Sequence, residues 1–107
     1  MEKPNVKFTG VMSAFVSCID ENENVNEQAM RKLMQWHLKE GLSGFYLTGG
    51  TGEGPVLQKK TRMKIAEIAK DEVKNGASLI AHVGAIDLTT AVELARHAGQ
   101  IGLDAIS

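Results

Sequence analysis

Cysteine occurs once in these 107 residues, at Cys18, so no disulfide within the chain is available to brace a small core. An excess of charge of either sign is also missing. The formal net charge is -1 with acidic and basic residues intermingled, which removes the electrostatic reason to expect nucleic acid or an anionic membrane as a partner. No stretch approaches the roughly 20 apolar residues of a membrane-spanning helix. Met1-Glu2-Lys3-Pro4-Asn5 leads into no long apolar run, so a signal peptide is not expected. Nothing resembles an interdomain linker or a low-complexity segment. What remains is a globular composition, 43% hydrophobic and 23% charged, and the five methionines beside a single cysteine fit a reducing compartment. The expectation is a soluble, cytoplasmic protein.

Phe8 to Ile19 is mostly small or apolar and suits a buried strand. Asp20 to Asn24 is a polar turn, and Asn24-x-x-Glu27 resembles a capping box. Met30, Leu33, Met34, His37 and Leu38 then recur at the spacing of one helical face, with Gly41 placed for a left-handed cap. Gly44 to Thr48 has bulky β-formers without alternation, as in a strand covered on both faces. A second helix is expected over Gln58 to Lys74, with Thr61, Ile65, Ile68, Ala69 and Val73 inward and Gly76 ending it. Ser78 to Val83 is the third strand. Asp87 caps a third helix with Ala91, Leu94, Ala95 and Ala98 on its inner face, and Leu103 to Ser107 begins a fourth strand.

Strand, loop, helix and glycine thus recur three times, which predicts an α/β fold of parallel strands joined by right-handed crossovers. An open doubly wound sheet and a closed (β/α)8 barrel both satisfy this order. Gly41, Gly76 and Gly102 set a period near 30 residues, which scales to about 250 for eight units. A half barrel leaves a strand edge unpaired and inner faces wet. Residues 1–107 are therefore expected to be the N-terminal part of a single, incomplete barrel domain, its first three to four βα units.

Thr48-Gly49-Gly50-Thr51-Gly52-Glu53-Gly54 lies between the C-terminal end of a strand and a helix, the end that carries ligands in both architectures. Glycines let successive backbone N–H groups form a concave nest for a carboxylate or phosphate, and Thr51 adds a hydroxyl. Glu53 repels such a guest; its carboxylate is expected to cap backbone N–H groups and, with Gly49 and Gly52, to shape the loop. Spacing alone leaves open whether the glycines bind an anion or only turn a tight corner. The loop is neither a P-loop, since no Gly-Lys-Ser/Thr follows, nor the Gly-x-Gly-x-x-Gly dinucleotide fingerprint.

Gly44-Phe45-Tyr46-Leu47-Thr48-Gly49-Gly50-Thr51-Gly52-Glu53 resembles the Gly-Ser/Thr-Thr-Gly-Glu signature of the N-acetylneuraminate lyase and dihydrodipicolinate synthase superfamily. Val11-Met12-Ser13-Ala14-Phe15 is similar to that family's first strand, and Gly102-Leu103-Asp104-Ala105-Ile106-Ser107 to the entry of its fourth. Ile80-Ala81-His82-Val83-Gly84 is closer to the lyase branch, because Ala85-Ile86 supplies no asparagine of the synthase pattern Ala-Gly-x-Gly-x-Asn. The resemblance implies a homotetrameric (β/α)8 aldolase that forms a lysine Schiff base with pyruvate and needs no metal or organic cofactor. Its lyase branch cleaves N-acetylneuraminate, a sialic acid, to pyruvate and N-acetylmannosamine. Other members are synthases, 2-keto acid aldolases or dehydratases. Its partners would be a small 2-keto acid or sugar acid, with no nucleic acid and no membrane.

By position, the resemblance places the carboxylate grip at Gly50 and Thr51. Gly50 departs from the family's serine or threonine, keeping the backbone donor but losing a hydroxyl that joins a proton relay. Ser17-Cys18-Ile19 replaces the usual Thr-Pro-Phe. The family's lysine and tyrosine lie on later strands. Lys39, Lys59, Lys60, Lys64, Lys70 and Lys74 fall on or beside expected helices, so no catalytic residue is assigned in this chain, and the 107 residues alone read as a non-catalytic piece.

The remaining chemistry-bearing residues have plainer readings. His82 reads as a satisfied core histidine rather than an acid–base group. His37 and His97 share no metal-ligand spacing with His82 or Cys18, so no metal site is expected. Trp36 and Tyr46 read as packing residues, and Lys59-Lys60-Thr61-Arg62 as a solvated surface.

Overall fold

A computed structural model describes residues 8–107, so the expectation placed on Met1 to Asn5 lies outside the described residues. The first strand, β1, is Met12–Ala14, far shorter than the apolar run that suggested it. Its partner β2 is only Gly44–Leu47, and β1 pairs for three residues before one further bond, Phe15 N–H to the Tyr46 carbonyl at 3.0 Å. Beyond it the chain leaves the sheet, and Ile19 bridges antiparallel to Val25 to close the acidic turn.

That turn changes the helix cap. The Asp20 carboxylate accepts the Asn22 and Asn24 N–H groups at 2.8 and 2.9 Å, which occupies Asn24. Asn26 caps helix α1 (Glu27–Lys39) instead, its Oδ1 accepting the Ala29 N–H at 3.0 Å. At the other end Gly41, at φ 92°, completes a Schellman turn in which Leu42 N–H reaches the His37 carbonyl at 3.1 Å.

Helix α2 is Lys59–Val73. Its left-handed terminator is Lys74, at φ 51°, rather than Gly76. Val73 must stay buried against the sheet, so the break falls on the next, exposed residue. The Lys70 ammonium then donates to the freed Lys74 carbonyl at 3.2 Å. Strand β3 is Ser78–Ala81 and helix α3 is Leu88–Gln100, capped by Asp87 through the Thr90 N–H at 2.8 Å. Gly102, at φ 81°, repeats the turn of Gly41 and leads into β4, Ala105–Ile106.

All strand pairs are parallel, in the order β1-β2-β3-β4, with Phe45 opposite Leu79 and Ala81 opposite Ile106. Right-handed crossovers between sequential neighbours put every helix on one face. The contacts agree, since α1 packs on α2 and α2 on α3. An open doubly wound sheet would reverse its strand order and cover both faces. This is therefore a sector of a (β/α)8 barrel. Phe45, Leu47, Leu79 and Ala81 point into the helical layer and meet Met30, Met34, Ile65, Ile68 and Ala69 in the core. Tyr46 and Ile80 point to the other face, which the barrel fold makes its interior, and are half-buried.

Candidate functional site

At the end of β2, Thr48 leaves the strand at φ 51°, a left-handed conformation that β-branched residues rarely adopt. It is held there. Its hydroxyl donates to the His82 carbonyl at 3.3 Å, and the residue is buried. The loop then closes on itself, with Gly54 N–H on the Gly49 carbonyl at 3.0 Å and Glu53 N–H on the Gly50 carbonyl at 3.1 Å. The Ser17 hydroxyl, from the loop after β1, donates to the Gly52 carbonyl.

The four glycines separate into two kinds. A Cβ on Gly49 would lie 2.5 Å from the Tyr46 ring, on Gly52 2.9 Å from the Phe15 carbonyl oxygen, and on Gly54 1.8 Å from the Thr48 carbonyl oxygen. Those three are buried and demanded by packing. A Cβ on Gly50 would meet nothing within 4 Å. Gly50 and Thr51 form the exposed tip, and among the described residues neither N–H donates to a protein acceptor. Two adjacent unspent donors at the C-terminal end of a parallel strand are the kind of backbone group from which anion-binding nests are built.

Glu53 shapes this loop through its backbone, which is left-handed at φ 58°, and its side chain makes no capping hydrogen bond to the short turn Gly54–Val56 that follows. The capping carboxylate in this region is Glu23, which accepts the Gln58 N–H at 3.2 Å and the Thr61 hydroxyl at 2.7 Å at the start of α2. Glu23 is itself left-handed at φ 61°, which carries its side chain across from the acidic turn.

The basic cluster also divides. Lys59 pairs with Glu93 on the surface, but Arg62 is only 4% exposed. Helix α2 is covered by α1 on one flank and α3 on the other, so its buried face is wider than the Thr61, Ile65, Ile68, Ala69 stripe and takes in Arg62 and Ala66. The Arg62 guanidinium donates to the Gly84 carbonyl at 2.8 Å and the His82 carbonyl at 2.6 Å. Sequence reasoning missed this residue. The usable signal was its position, one residue after Thr61 and four before Ala66, on the flank facing α3.

On the interior face, the Tyr46 hydroxyl donates to Ser107 Oγ at 2.9 Å, and the Tyr46 ring stacks against His82 with centroids 6.4 Å apart. His82 is half-buried there, and Gly84 leaves room for its ring. Trp36, expected to pack, is 57% exposed on the outer side of α1. His37 packs between Phe15 and Phe45, and His97 lies 3.2 Å from Glu67. Among the described residues, no three His, Cys, Asp or Glu side chains are grouped to hold a metal ion. Cys18 is half-buried, and burial pushes its thiol above the ordinary range, away from the thiolate that a nucleophile requires. Lys32, Lys39, Lys59, Lys60, Lys64 and Lys70 all lie on helices and Lys74 directly after one, so none stands at the end of a strand.

The pattern of the Dihydrodipicolinate synthetase family matches residues 7–107. An N-acetylneuraminate lyase of Actinobacillus pleuropneumoniae serotype 5b is 38% identical over 101 residues, covering 94% of this chain and 35% of that protein. The chain thus spans about a third of the length of the curated relatives it matches. Among solved structures, CdNal of Clostridium difficile, crystallised with mannosamine, superposes with a TM-score of 0.86 at 39% identity, over 94% of this chain and 35% of its own. Dihydrodipicolinate synthase from Aquifex aeolicus superposes with a TM-score of 0.85 at 28% identity, over 92% and 33%. The N-acetylneuraminate lyase of Proteus mirabilis superposes with a TM-score of 0.88 at 29% identity, over 94% of this chain and 34% of its own, so neither backbone shape nor identity to these structures separates the two activities.

Proposed function

This chain belongs to the dihydrodipicolinate synthetase family, and on that premise we propose that the complete protein is a Schiff-base aldolase of the N-acetylneuraminate lyase type. Residues 1–107 are then the N-terminal part of its single (β/α)8 domain. The observation that carries this reading is the loop tip, where the unspent N–H groups of Gly50 and Thr51 stand at the mouth of the barrel on packed glycines. They hold the carboxylate of a 2-keto acid, with the Thr51 hydroxyl as a further donor.

With the carboxylate fixed, the C2 carbonyl faces the strand ends. A lysine amine there, on a part of the protein outside this chain, condenses with it and releases water. As the C4 hydroxyl gives up its proton and becomes the aldehyde, the C3–C4 electron pair passes into the iminium. The resulting enamine takes a proton at C3, and water hydrolyses the imine to pyruvate and the free lysine. N-Acetylmannosamine is the aldehyde released. No metal or organic cofactor enters these steps. Small molecules are the partners, in a cytoplasmic homotetramer. Gly50 supplies no hydroxyl to the proton steps, so carboxylate binding is preserved better than proton transfer.

Borohydride reduction of the complete protein with pyruvate tests the chemistry. A single lysine carrying the reduced pyruvate adduct is expected by mass spectrometry, and no adduct on any lysine would refute it. The synthase-type condensation is the second reading, favoured by the equal superposition on the Aquifex aeolicus structure. Release of pyruvate from N-acetylneuraminate, with no consumption of aspartate semialdehyde, is the result expected for the lyase type; the reverse pattern establishes the synthase type.

A further inference from the structure

Arg62 is a buried cation. Among the described residues no carboxylate lies within ion-pair distance, and its Nε finds no hydrogen-bond partner at all. Its two terminal nitrogens are spent on the carbonyls of His82 and Gly84, just beyond β3. Burial pushes its pKa down, with no neighbouring acid acting in the opposite direction. A guanidinium keeps its charge in proteins, so this site is positive and poorly compensated.

Such a charge is expensive where it stands, and carbonyl dipoles offset it only in part. Its location gives it a use. The His82 carbonyl that accepts from Arg62 also accepts from the hydroxyl of Thr48, the residue that opens the anion loop. The guanidinium and the loop therefore hang on one shared acceptor. Thr48, Arg62 and His82 also line one small space between β3 and the helices, where a charge is screened less than at the surface.

We propose that Arg62 is a positioning residue for the carboxylate site: it fixes the end of β3 against Thr48 and supplies the positive field that the Gly50–Thr51 tip presents to an anion. The inference rests on the carboxylate reading of that tip. It predicts that the preference for a charged over an uncharged ligand of the same shape depends on the charge at position 62.

The experiment compares binding of pyruvate and of its neutral amide to the complete protein, in the wild type and in Arg62→Gln and Arg62→Lys. Arg62→Gln is expected to weaken pyruvate binding roughly tenfold, the order set by a unit charge at an intermediate effective dielectric. Amide binding is expected to change less than twofold. Arg62→Lys keeps the charge and is expected to keep the preference within about threefold. A purely structural strap would lower both affinities together, or restore neither with lysine, and either outcome overturns the proposal. If Arg62→Gln does not fold, loss of the preference in folded Arg62→Lys overturns it equally. Failure of the wild type to bind pyruvate would instead refute the carboxylate reading on which the inference stands.

Discussion

Gly54→Ala is the substitution that the loop should tolerate least. The added Cβ would sit 1.8 Å from the Thr48 carbonyl oxygen and 2.6 Å from its carbon. Both obstacles are backbone, so no side-chain rotation relieves them, and Gly54 and Thr48 must separate by about an ångström or more. That separation breaks the Gly54 N–H bond to the Gly49 carbonyl, now 3.0 Å, which closes the loop. Overpacking of this kind costs about 1–3 kcal/mol and the lost hydrogen bond about 1 more. The sum, about 2–4 kcal/mol, corresponds to a fall in Tm of roughly 5–15 °C for a domain of barrel size.

Gly50→Ser is the control within the same seven residues. Its Cβ enters open space, and a substitution of that kind stays within about 0.5 kcal/mol. Thermal unfolding of the complete protein measures both variants, and pyruvate binding reads the tip. Gly54→Ala is expected to lose stability and to weaken binding tenfold or more, because the tilt moves the Gly50 and Thr51 donors. Gly50→Ser is expected to leave KM within about twofold while raising kcat, since it returns a hydroxyl to the proton path. A Gly54→Ala protein with unchanged Tm and binding, or a Gly50→Ser protein as unstable as Gly54→Ala, would refute the division of the glycines into packed and open.

Asn26→Ala should cost about 1 kcal/mol in urea denaturation through loss of the α1 cap, and Asn24→Ala clearly less; equal effects would argue against the cap assignment. Hydrogen bonds from the Thr90 N–H and hydroxyl hold the Asp87 carboxylate below its usual pKa, so its contribution to stability is present above the unfolded value and is lost as pH falls through the folded one. Asp87→Ala should therefore unfold earlier than wild type at neutral pH and converge with it as pH falls below the ordinary carboxylate range, a convergence absent if the cap is not ionic. The isolated 107-residue chain is expected to show no turnover of N-acetylneuraminate; measurable turnover would overturn the assignment of the lysine to another part of the protein.

Helices were the most legible elements, because a 3.6-residue stripe survives any context: Met30, Met34, Ile65, Ile68, Leu94 and Ala98 are all buried as their spacing requires. The strand at Phe8 to Ile19 was legible only in kind. An apolar run states that residues are buried, whereas strand length is set by the partner, and β2 offers four residues. Asn24 and Asn26 are chemically alike, and only the Asp20 turn, which occupies one of them, decides which caps α1. Arg62 was illegible for a related reason. Its neighbours Lys59 and Lys60 are exposed, and the burial that separates it from them comes from α3, some 30 residues away in sequence.

The site shows the same limit at finer grain. Four glycines in seven residues announced a tight loop, but composition cannot say which are required by contact. Tyr46, the Phe15 carbonyl and the Thr48 carbonyl each exclude a side chain at one position, and all three obstacles belong to residues outside the tip. Packing therefore dictates glycine at Gly49, Gly52 and Gly54 and is indifferent at Gly50. The absence of a hydroxyl at Gly50 is then not a by-product of folding the loop. Structure leaves room for serine or threonine there, so packing does not select the glycine. Under the proposed function its effect falls on the proton steps, because the backbone donor offered to a carboxylate is the same for either residue.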